Sequence, residues 1–376
     1  MEPTLALAME LIGRASVTPD DAGCQTHIAG LLSAAGFHTE SLVFGEVTNL
    51  WARHGTSAPL VVFLGHTDVV PPGPLADWTT PPFVPAIRDG MLYGRGAADM
   101  KGAVAAFVQA LIGFVHRHPG HPGSVGLLLT SDEEGPAVNG TIQVLKTLAS
   151  RGESIDYCLV GEPSCQATLG DTVKNGRRGS LNGELVIHGV QGHVAYPERA
   201  DNPITRFAPA LQSLVSMAWD QGSADFPPTR LQFSHIEAGT GADNVIPGRL
   251  RALFNLRYGP ATPADVLRAR IEEVLAAHKL RYTLTWRLSG EPFLSTDGPL
   301  KAALAASILA ETGHAPHYST GGGTSDGRFV APFGAQVLEF GPPNGSIHKV
   351  NEAVSVDDLA RLTRIYQGTL ERIWAL

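Results

Sequence analysis

Residues 61–68 read Val-Val-Phe-Leu-Gly-His-Thr-Asp, a short apolar run that ends in a histidine and an aspartate. A continuous apolar run of this length, bounded by turn residues, is typical of a strand buried in a sheet. The two polar residues follow at the carboxyl end of that strand, which is the edge where open α/β sheets bind ligands. This stretch therefore predicts both a largely parallel α/β sheet and a functional site at its edge.

Four further apolar runs also lead into acids or histidines. The residues that follow those runs are Asp99, the acidic triplet 132–134, Glu162 and His348. In an open α/β sheet such residues collect in the crevice beyond the strand ends. Together with His66 and Asp68 they supply imidazole and carboxylate groups, which suit zinc. The pattern indicates a two-metal site with one unligated acid beside it.

Each of these residues also has an ordinary structural explanation when it is considered alone. His66 and His348 could be loop histidines, and Asp99 could cap the helix that follows it. The acidic triplet could be a solvated turn. Adjacent like charges repel each other, however, and a bound cation is the usual remedy. Of the neighbouring Glu133 and Glu134, one could then ligate a metal while the other stays free as a general base.

Composition and charge limit the possible functions. The chain has 376 residues, 43% of them hydrophobic and 17% charged, which is enough for two ordinary globular domains. The net charge of −8 comes without a basic stripe, so no nucleic-acid partner is expected. The lack of a long apolar run and of a basic leader argues against a membrane partner. Three cysteines without a C-x-x-C pair indicate reduced thiols, so we expect a cytoplasmic protein.

The order of helical and strand-like segments predicts two domains. From residue 61 to 160 strand-like runs alternate with helical ones, which is typical of a mainly parallel sheet covered by helices. The segment 179–292 instead has the order β-α-β-β-α-β of a ferredoxin-like sandwich. Its second helix is expected to begin after a Thr262 N-cap, with the next proline at the first helical position. The sequence thus predicts an α/β domain at 1–178 and 293–376, with an inserted α+β domain at 179–292.

A glycine-rich run and several basic residues allow two explanations each. Residues 321–326, Gly-Gly-Gly-Thr-Ser-Asp, lack the Gly-Lys-Ser/Thr ending of a phosphate loop. They could form a flexible backbone wall of a carboxylate pocket, or a plain turn. The guanidinium groups of Arg177, Arg178 and Arg257 could clamp carboxylates in bidentate fashion. Lys174 could add a point charge, although the ordinary explanation for any single cation is a solvated surface charge.

The motifs around these residues resemble those of the di-zinc amidohydrolases. This family includes acetylornithine deacetylase, aminoacylase, glutamate carboxypeptidase and succinyl-diaminopimelate desuccinylase. The resemblance extends over nearly the whole chain. Its specific segments are 65–71, 94–102, 130–135, 161–164, 175–180, 192–197, 319–329 and 348–352. Three of them, 175–180, 324–329 and 348–352, resemble the desuccinylase branch in particular.

The resemblance implies a di-zinc exopeptidase-like catalytic domain with two Zn²⁺ ions per subunit. One zinc would be held by His66 and Glu162, the other by Glu134 and His348, and Asp99 would bridge both. Zinc fits these nitrogen and oxygen ligands, and cobalt or manganese would also bind such a site.

Catalytic roles are implied for three further residues. Glu133 would be the general base, and Asp68 would orient His66. His193, in the inserted domain, would reach the active site of the partner subunit. The resemblance therefore implies a homodimer built through the segment 179–292. It also implies a non-proline cis peptide bond after Asp99.

The resemblance also indicates which residues hold the polar ends of the substrate. They are Arg177, Ser180, Tyr196, Asn244, Arg257, Thr324 and Asn344. Relatives often have two asparagines before Val-Ile-Pro, whereas this chain has Asp243 followed by Asn244. Either residue of this pair could therefore contact the substrate.

The implied reaction is hydrolysis of N-succinyl-LL-2,6-diaminopimelate to succinate and LL-2,6-diaminopimelate, a step of lysine and diaminopimelate biosynthesis. This small-molecule substrate would be attacked by a water that bridges the two zinc ions. One alternative is a related N-acyl-amino-acid deacylase, such as acetylornithine deacetylase, or a dipeptidase. Another is a metal-dependent binding protein with an inactive centre, against which the complete set of metal-site residues argues.

Overall fold

The computed structural model describes residues 1–376 and divides the chain into two compact units. The large unit comprises Met1–Gly176, Ser295–Ser319 and Ser325–Leu376. The small unit comprises Arg177–Leu294 and Thr320–Thr324. Each unit has its own hydrophobic core.

The chain forms nineteen strands and nine α-helices. The strands are β1 His38–Phe44, β2 Val47–His54, β3 Leu60–His66, β4 Ala86–Arg88, β5 Met91–Tyr93, β6 Ser124–Thr130, β7 Tyr157–Val160, β8 Thr172–Lys174, β9 Gly176–Arg177, β10 Gly179–His188, β11 Gly192–His193, β12 Arg230–Ala238, β13 Val245–Ile246, β14 Arg249–Tyr258, β15 Tyr282–Gly290, β16 Phe293–Leu294, β17 His317–Ser319, β18 Gln336–Glu339 and β19 Ala353–Ser355. The helices are α1 Pro3–Ile12, α2 Cys24–Ala34, α3 Gly102–Arg117, α4 Thr141–Ser150, α5 Pro203–Ser216, α6 Ala264–Ala277, α7 Pro299–Thr312, α8 Gly327–Val330 and α9 Val356–Ile373.

The large unit is built on an eight-stranded sheet with the order β1-β2-β6-β3-β7-β18-β8-β17. Its centre is parallel, because β3 pairs with both β6 and β7, and β7 pairs with β18. Antiparallel pairs join β1 to β2, β2 to β6 and β18 to β8. This mixed, mainly parallel sheet confirms the predicted α/β fold class.

The centre of the sheet is buried because its strands are apolar along their whole length. All seven residues of β3 and of β6 are buried, as expected where helices cover both faces of a parallel sheet. On α3, Phe107 stacks on Phe63 of β3 with ring centroids 4.3 Å apart. Tyr366 of α9 contacts the same two rings, and its hydroxyl donates to the carbonyl of Phe340 at 2.6 Å.

The stretch Ala97–Arg117, which contains α3, is the one segment long and apolar enough to cross a membrane. The most apolar 18 residues of this stretch are 83% buried inside the protein. Its apolar residues thus pack into the core of the large unit.

One strand differs from the expectation. The apolar run before Asp99, expected to be a strand of the main sheet, contains Met91–Tyr93, which forms β5 in a separate three-stranded sheet with the order β19-β5-β4. The reason is a tight hairpin at Asp89 and Gly90, both of which have positive φ, that pairs β5 with β4. Asp99 therefore follows a small accessory sheet, and β19 brings the C-terminal segment beside it.

The small unit is a four-stranded antiparallel sheet with the order β12-β14-β10-β15 and two helices, α5 and α6. Its element order β-α-β-β-α-β confirms the predicted ferredoxin-like arrangement. The predicted Thr262 cap is wrong. Pro263 occupies the N-cap position without a side-chain bond, because the Thr262 hydroxyl donates to the Asp220 carboxylate at 2.9 Å instead.

Candidate active site

The carboxyl ends of β3, β6 and β7 carry a cluster of acids and a histidine. His66 is the last residue of β3, Glu133 and Glu134 follow β6, and Glu162 follows β7. The parallel register sets Leu64 opposite both neighbouring strands, so the three strand ends are adjacent. Residues far apart in the sequence therefore meet at this edge.

Two groups of possible ligands share one carboxylate. His66 Nε2 lies 3.3 Å from Asp99 Oδ1 and 3.7 Å from Glu162 Oε1. His348 Nε2 lies 2.9 Å from Glu134 Oε1 and 3.3 Å from Asp99 Oδ2. The two oxygens of Asp99 thus face different histidines, which is the arrangement of a carboxylate that bridges two cations.

Glu133 faces the same space. One ligand atom from each of His66, Glu133 and Glu134 lies within 4.8 Å of the others. The two groups that share Asp99 are complete without Glu133. The structure therefore brings together all five predicted metal ligands and leaves one half-buried carboxylate, that of Glu133, beside them.

Asp68 contacts both sides of this cluster. His66 Nδ1 hydrogen-bonds the backbone carbonyl of Asp68 at 2.8 Å, while the nearer Asp68 carboxylate oxygen is 3.6 Å away. The carboxylate instead accepts from the backbone N–H groups of Glu133 at 3.4 Å and Glu134 at 3.1 Å. The carbonyl orients the imidazole, and the side chain fixes the turn that carries the two glutamates.

Two glycines allow the Asp99 loop to approach the strand ends. Gly65 precedes His66 and Gly161 precedes Glu162. A Cβ atom at Gly65 or Gly161 would lie 2.5 or 2.6 Å from Met100 Cε, closer than such atoms can pack. Met100 follows Asp99 through a cis peptide bond. A larger residue at either glycine would force the Met100 side chain to move.

The electrostatics of the cluster favour added positive charge. Burial raises the pKa of Glu162 well above its ordinary value, and neighbouring carboxylates add to that shift. Burial opposes ionisation of His66, but Asp99 and the other nearby carboxylates raise the His66 pKa well above its ordinary value. Hydrogen bonds to Asp99 and Glu134 raise the pKa of His348 to about 10. A site that stabilises protons in this way also attracts divalent cations.

Two buried atoms support the fit of metal ions to this site. His66 Nε2 and Asp99 Oδ1 are both buried and have no hydrogen-bond partner. Buried polar atoms are normally satisfied, so this pair requires an explanation. Imidazole nitrogen and carboxylate oxygen are common ligands of zinc. The cluster therefore fits a pair of divalent cations.

Asn344 is the predicted substrate-binding residue that belongs to the large unit. Its backbone N–H donates to the Cys165 carbonyl at 2.9 Å, which anchors the loop before His348. Lys174 is also buried, at 6% exposure, and its ammonium donates to Ser319 Oγ at 3.3 Å. The solvated-surface explanation of Lys174 is therefore wrong.

The small unit gathers part of the predicted substrate-binding set around the start of β10. Ser180 lies opposite Arg257 in the β10–β14 register, and Asn255 Nδ2 donates to Ser180 Oγ at 3.0 Å. Arg177 is buried, and its Nη1 donates to the carbonyls of Gly321 and Gly323 at 3.3 and 3.1 Å. The glycine-rich run that precedes Thr324 is thus held by an arginine through its backbone.

A second group of predicted residues lies around β11 and β13. His193 and Tyr196 have ring centroids 5.8 Å apart and are both exposed. The Asn244 carbonyl accepts from Val194 N at 3.1 Å. Asp243 is also exposed. Ala195 N donates to His193 Nδ1 at 3.0 Å, so a neutral ring carries its proton on Nε2.

Sequence reasoning missed two buried carboxylates of the large unit. Glu352 accepts several hydrogen bonds from the Asp99 loop. Asp326, in the glycine-rich run, is buried and raises the pKa of Glu133 electrostatically, a smaller effect than the burial of Glu133 itself. The sequence did contain a signal for Glu352: this residue is the last of the segment 348–352, whose first residue, His348, is a predicted metal ligand.

Comparison with known proteins places this cluster in a family. A sequence model described as peptidase family M20/M25/M40 matches residues 62–372, which include every predicted metal ligand. The chain belongs to this family. Within it, similar curated proteins are named succinyl-diaminopimelate desuccinylase. The Halorhodospira halophila protein is 61% identical over 375 residues, covering 100% of this chain and 99% of the relative. The Methylococcus capsulatus protein is 58% identical over 376 residues, covering 100% of both chains.

Solved structures of the M20 family share the fold at low sequence identity. The metallo-carboxypeptidase Sso-CP2 of Sulfolobus solfataricus superposes with a TM-score of 0.85 at 17% identity, with 100% of both chains covered. The Bacillus subtilis YXEP protein, described as a dinuclear metal-binding peptidase, superposes with a TM-score of 0.74 at 15% identity. That match covers 99% of this chain and 97% of the other. These matches establish the fold.

Proposed function

We propose that this enzyme hydrolyses N-succinyl-LL-2,6-diaminopimelate to succinate and LL-2,6-diaminopimelate, in diaminopimelate and lysine biosynthesis. The observation that carries the proposal is the pair of ligand groups that share Asp99 and leave Glu133 unassigned. Full-length relatives named as desuccinylases support the choice of acyl group. The three buried, free cysteines support a cytoplasmic location.

We infer that two zinc ions are the resident cofactors, with cobalt able to replace them. His66, Asp99 and Glu162 would hold one ion, and Asp99, Glu134 and His348 the other. When bound, such a pair lowers the pKa of an attacking water and polarises the amide carbonyl. Asp68 supports both positions, because it orients His66 and fixes the turn that carries Glu134.

Glu133 would be the group that moves the proton. As a carboxylate it takes a proton from the water whose oxygen forms the new bond to the amide carbon. It then gives that proton to the nitrogen as the carbon–nitrogen bond breaks, so succinate and the free amine leave. Burial raises the pKa of Glu133 well above its ordinary value, which makes it a better proton acceptor and carrier near neutral pH.

His193 would stabilise the oxyanion of this reaction. Its Nδ1 accepts from Ala195, so Nε2–H is the available donor. A single well-placed donor to an oxyanion lowers the barrier by about 3–4 kcal/mol. We propose that the donor comes from the partner subunit of a homodimer. Residues 179–292 would then be the dimerisation domain, and 1–178 with 293–376 the catalytic domain.

The polar residues of the small unit would bind the carboxylates of the substrate. Arg177 and Arg257 offer guanidinium groups suited to bidentate contacts, with Ser180 beside Arg257 on the sheet. Tyr196, Asn244, Thr324 and Asn344 would complete the polar contacts. The exposed Asp243 next to Asn244 bears a charge that would repel a carboxylate, so we assign the contact to Asn244.

The substrate assignment is tested by a panel of N-acylated amino acids. Zinc-reconstituted enzyme is expected to cleave the succinylated diaminopimelate faster than N-acetylornithine, because only the former has a carboxylate on its acyl group. Treatment with a chelator should abolish both activities, and added Zn²⁺ should restore them. Faster cleavage of N-acetylornithine would replace the desuccinylase assignment with that of a related deacylase, and preferred cleavage of dipeptides would indicate a dipeptidase.

The anion-binding role of Arg177 has its own expected result. Arg177→Ala should lower kcat/KM for the succinylated substrate by about 10- to 100-fold, because a charge-assisted contact is lost. Arg177→Lys should recover only part of this loss, since an ammonium cannot make the bidentate contact. Arg268→Ala is a suitable control, because Arg268 pairs with Asp265 on α6. Steady-state kinetics equal to wild type for Arg177→Ala would contradict the assignment.

A further inference from the structure

Glu352 is a buried carboxylate that no step of the proposed reaction uses. Its side chain is fully enclosed in the large unit. Oε1 accepts from the backbone N–H groups of Ala98 and Asp99, both at 2.9 Å. Oε2 accepts from Gly96 N at 3.0 Å and from Arg95 Nη1 at 2.7 Å. Four donors therefore converge on one carboxylate.

These donors belong to the loop that carries Asp99. Three of them are backbone N–H groups within the four residues that end at Asp99 itself. The side chain of Glu352 therefore fixes the start of the short helical turn Ala97–Lys101, which lies between β5 and α3. Because Asp99 N is one of the bonded groups, any movement of Glu352 is transmitted directly to the shared carboxylate.

Glu352 is also connected to the predicted ligand His348 by the short backbone segment 348–352. His348 lies four residues before Glu352, and the intervening segment is held in a fixed conformation. His348 and Asn351 both have positive φ, 59° and 58°, which is uncommon for residues other than glycine. Asn351 Oδ1 accepts from Thr79 N at 2.8 Å, and Gly94 N donates to the Glu352 carbonyl at 3.0 Å.

We infer that Glu352 is a positioning residue that fixes Asp99 and His348 relative to each other, and thereby sets the affinity of both metal positions. This inference rests on the metal assignment of the proposed function. Asp99 belongs to both ligand groups, and His348 to one of them. Displacing Glu352 therefore changes both groups together, in contrast to a change of Glu134 or Glu162, each of which serves one.

The test is the metal affinity of Glu352→Gln. This substitution replaces one carboxylate oxygen by an NH₂ group, which cannot accept hydrogen bonds. The two donors that bonded to that oxygen therefore lose their acceptor. We expect the dissociation constants for Zn²⁺ at both positions to rise by about 10- to 100-fold, as is usual when partners of metal ligands are changed. Competition with a chelator measures both constants. The visible absorption spectrum of Co²⁺-loaded protein should change as well, since it reports the ligand geometry.

A matched control is available in the small unit. Asp220 also accepts four hydrogen bonds, from Gly222 N, Thr229 N, Thr229 Oγ1 and Thr262 Oγ1. Asp220→Asn should lower the urea midpoint of unfolding without changing metal affinity. Glu352→Asp keeps the charge but is one methylene shorter, so its metal affinity should lie between those of wild type and Glu352→Gln.

The outcomes separate the inference from the proposed function. If wild-type protein binds no pair of metal ions, the metal assignment fails and the inference fails with it. If wild type binds two ions and folded Glu352→Gln binds them with unchanged constants and spectrum, only the inference is overturned. Should Glu352→Gln not fold, the constants of Glu352→Asp decide, and values equal to wild type would overturn it. If Glu352→Gln weakened metal binding at one position only, the inference that Glu352 sets the affinity of both positions would also be refuted.

Discussion

Glu133→Gln is expected to lower kcat by about 10²- to 10⁴-fold, the usual contribution of a general base, while both metal ions stay bound. The amide has nearly the same shape as the carboxylate but cannot accept the proton of the attacking water. The two ligand groups that share Asp99 do not include Glu133, so they stay complete. Turnover and metal content, measured on the same preparation, check the two halves of this result.

The adjacent glutamate provides the control for that experiment. Glu134 Oε1 lies 2.9 Å from His348 Nε2, and Glu134→Ala should therefore lose metal from one position and lose activity as a consequence. Added Zn²⁺ should restore part of the activity of Glu134→Ala and none of that of Glu133→Gln. Near-wild-type turnover of Glu133→Gln would show that another group is the base.

The strands that carry the site were predictable because their burial is local information. Continuous apolar runs gave β3, β6, β7 and β18, and turn residues marked where each run ends. The helix expected after Asp99 is α3, which begins at Gly102. Such patterns indicate which residues are buried, and the edge of an α/β sheet then follows from general rules.

Contacts between distant segments could not be predicted from the same patterns. The Asp89-Gly90 hairpin is a local signal that pairs β5 with β4, but the other partner of β5, β19, lies more than 250 residues away. The four bonds to Glu352 span a similar distance. The residue that Thr262 bonds, Asp220, is likewise remote in the sequence. In each case tertiary contacts outweighed a local preference.

The chemistry of Asp68 shows the same limit at shorter range. The sequence placed a carboxylate two residues after His66, so a carboxylate–imidazole contact was the natural expectation. The backbone carbonyl makes that contact instead. The carboxylate turns to the N–H groups of Glu133 and Glu134, which arrive from β6. The sequence predicted a contact between Asp68 and His66, and the fold determined which atoms of Asp68 make which contact.

If His193 acts in the partner's active site, as we propose, two inactive variants should complement each other. His193→Ala and Glu133→Gln should each be inactive as homodimers, because each site lacks one essential group. In a heterodimer with His193 acting in trans, one site lacks both groups and the other is intact. Purified heterodimers, selected with two different tags, should therefore recover about half of the wild-type activity if the two sites are independent. No recovery would place His193 in the site of its own subunit.

A mirror-image pairing makes the conclusion independent of folding or exchange artefacts. The double variant His193→Ala/Glu133→Gln is combined with wild-type chains. If His193 acts in trans, the wild-type site receives no histidine and the other site has no base, so this heterodimer is inactive. If His193 acts in its own subunit, the wild-type site stays complete and half of the activity remains. The two pairings contain the same substitutions in different chains and give opposite results under the two models, so the distribution of activity between them identifies which subunit supplies the oxyanion donor.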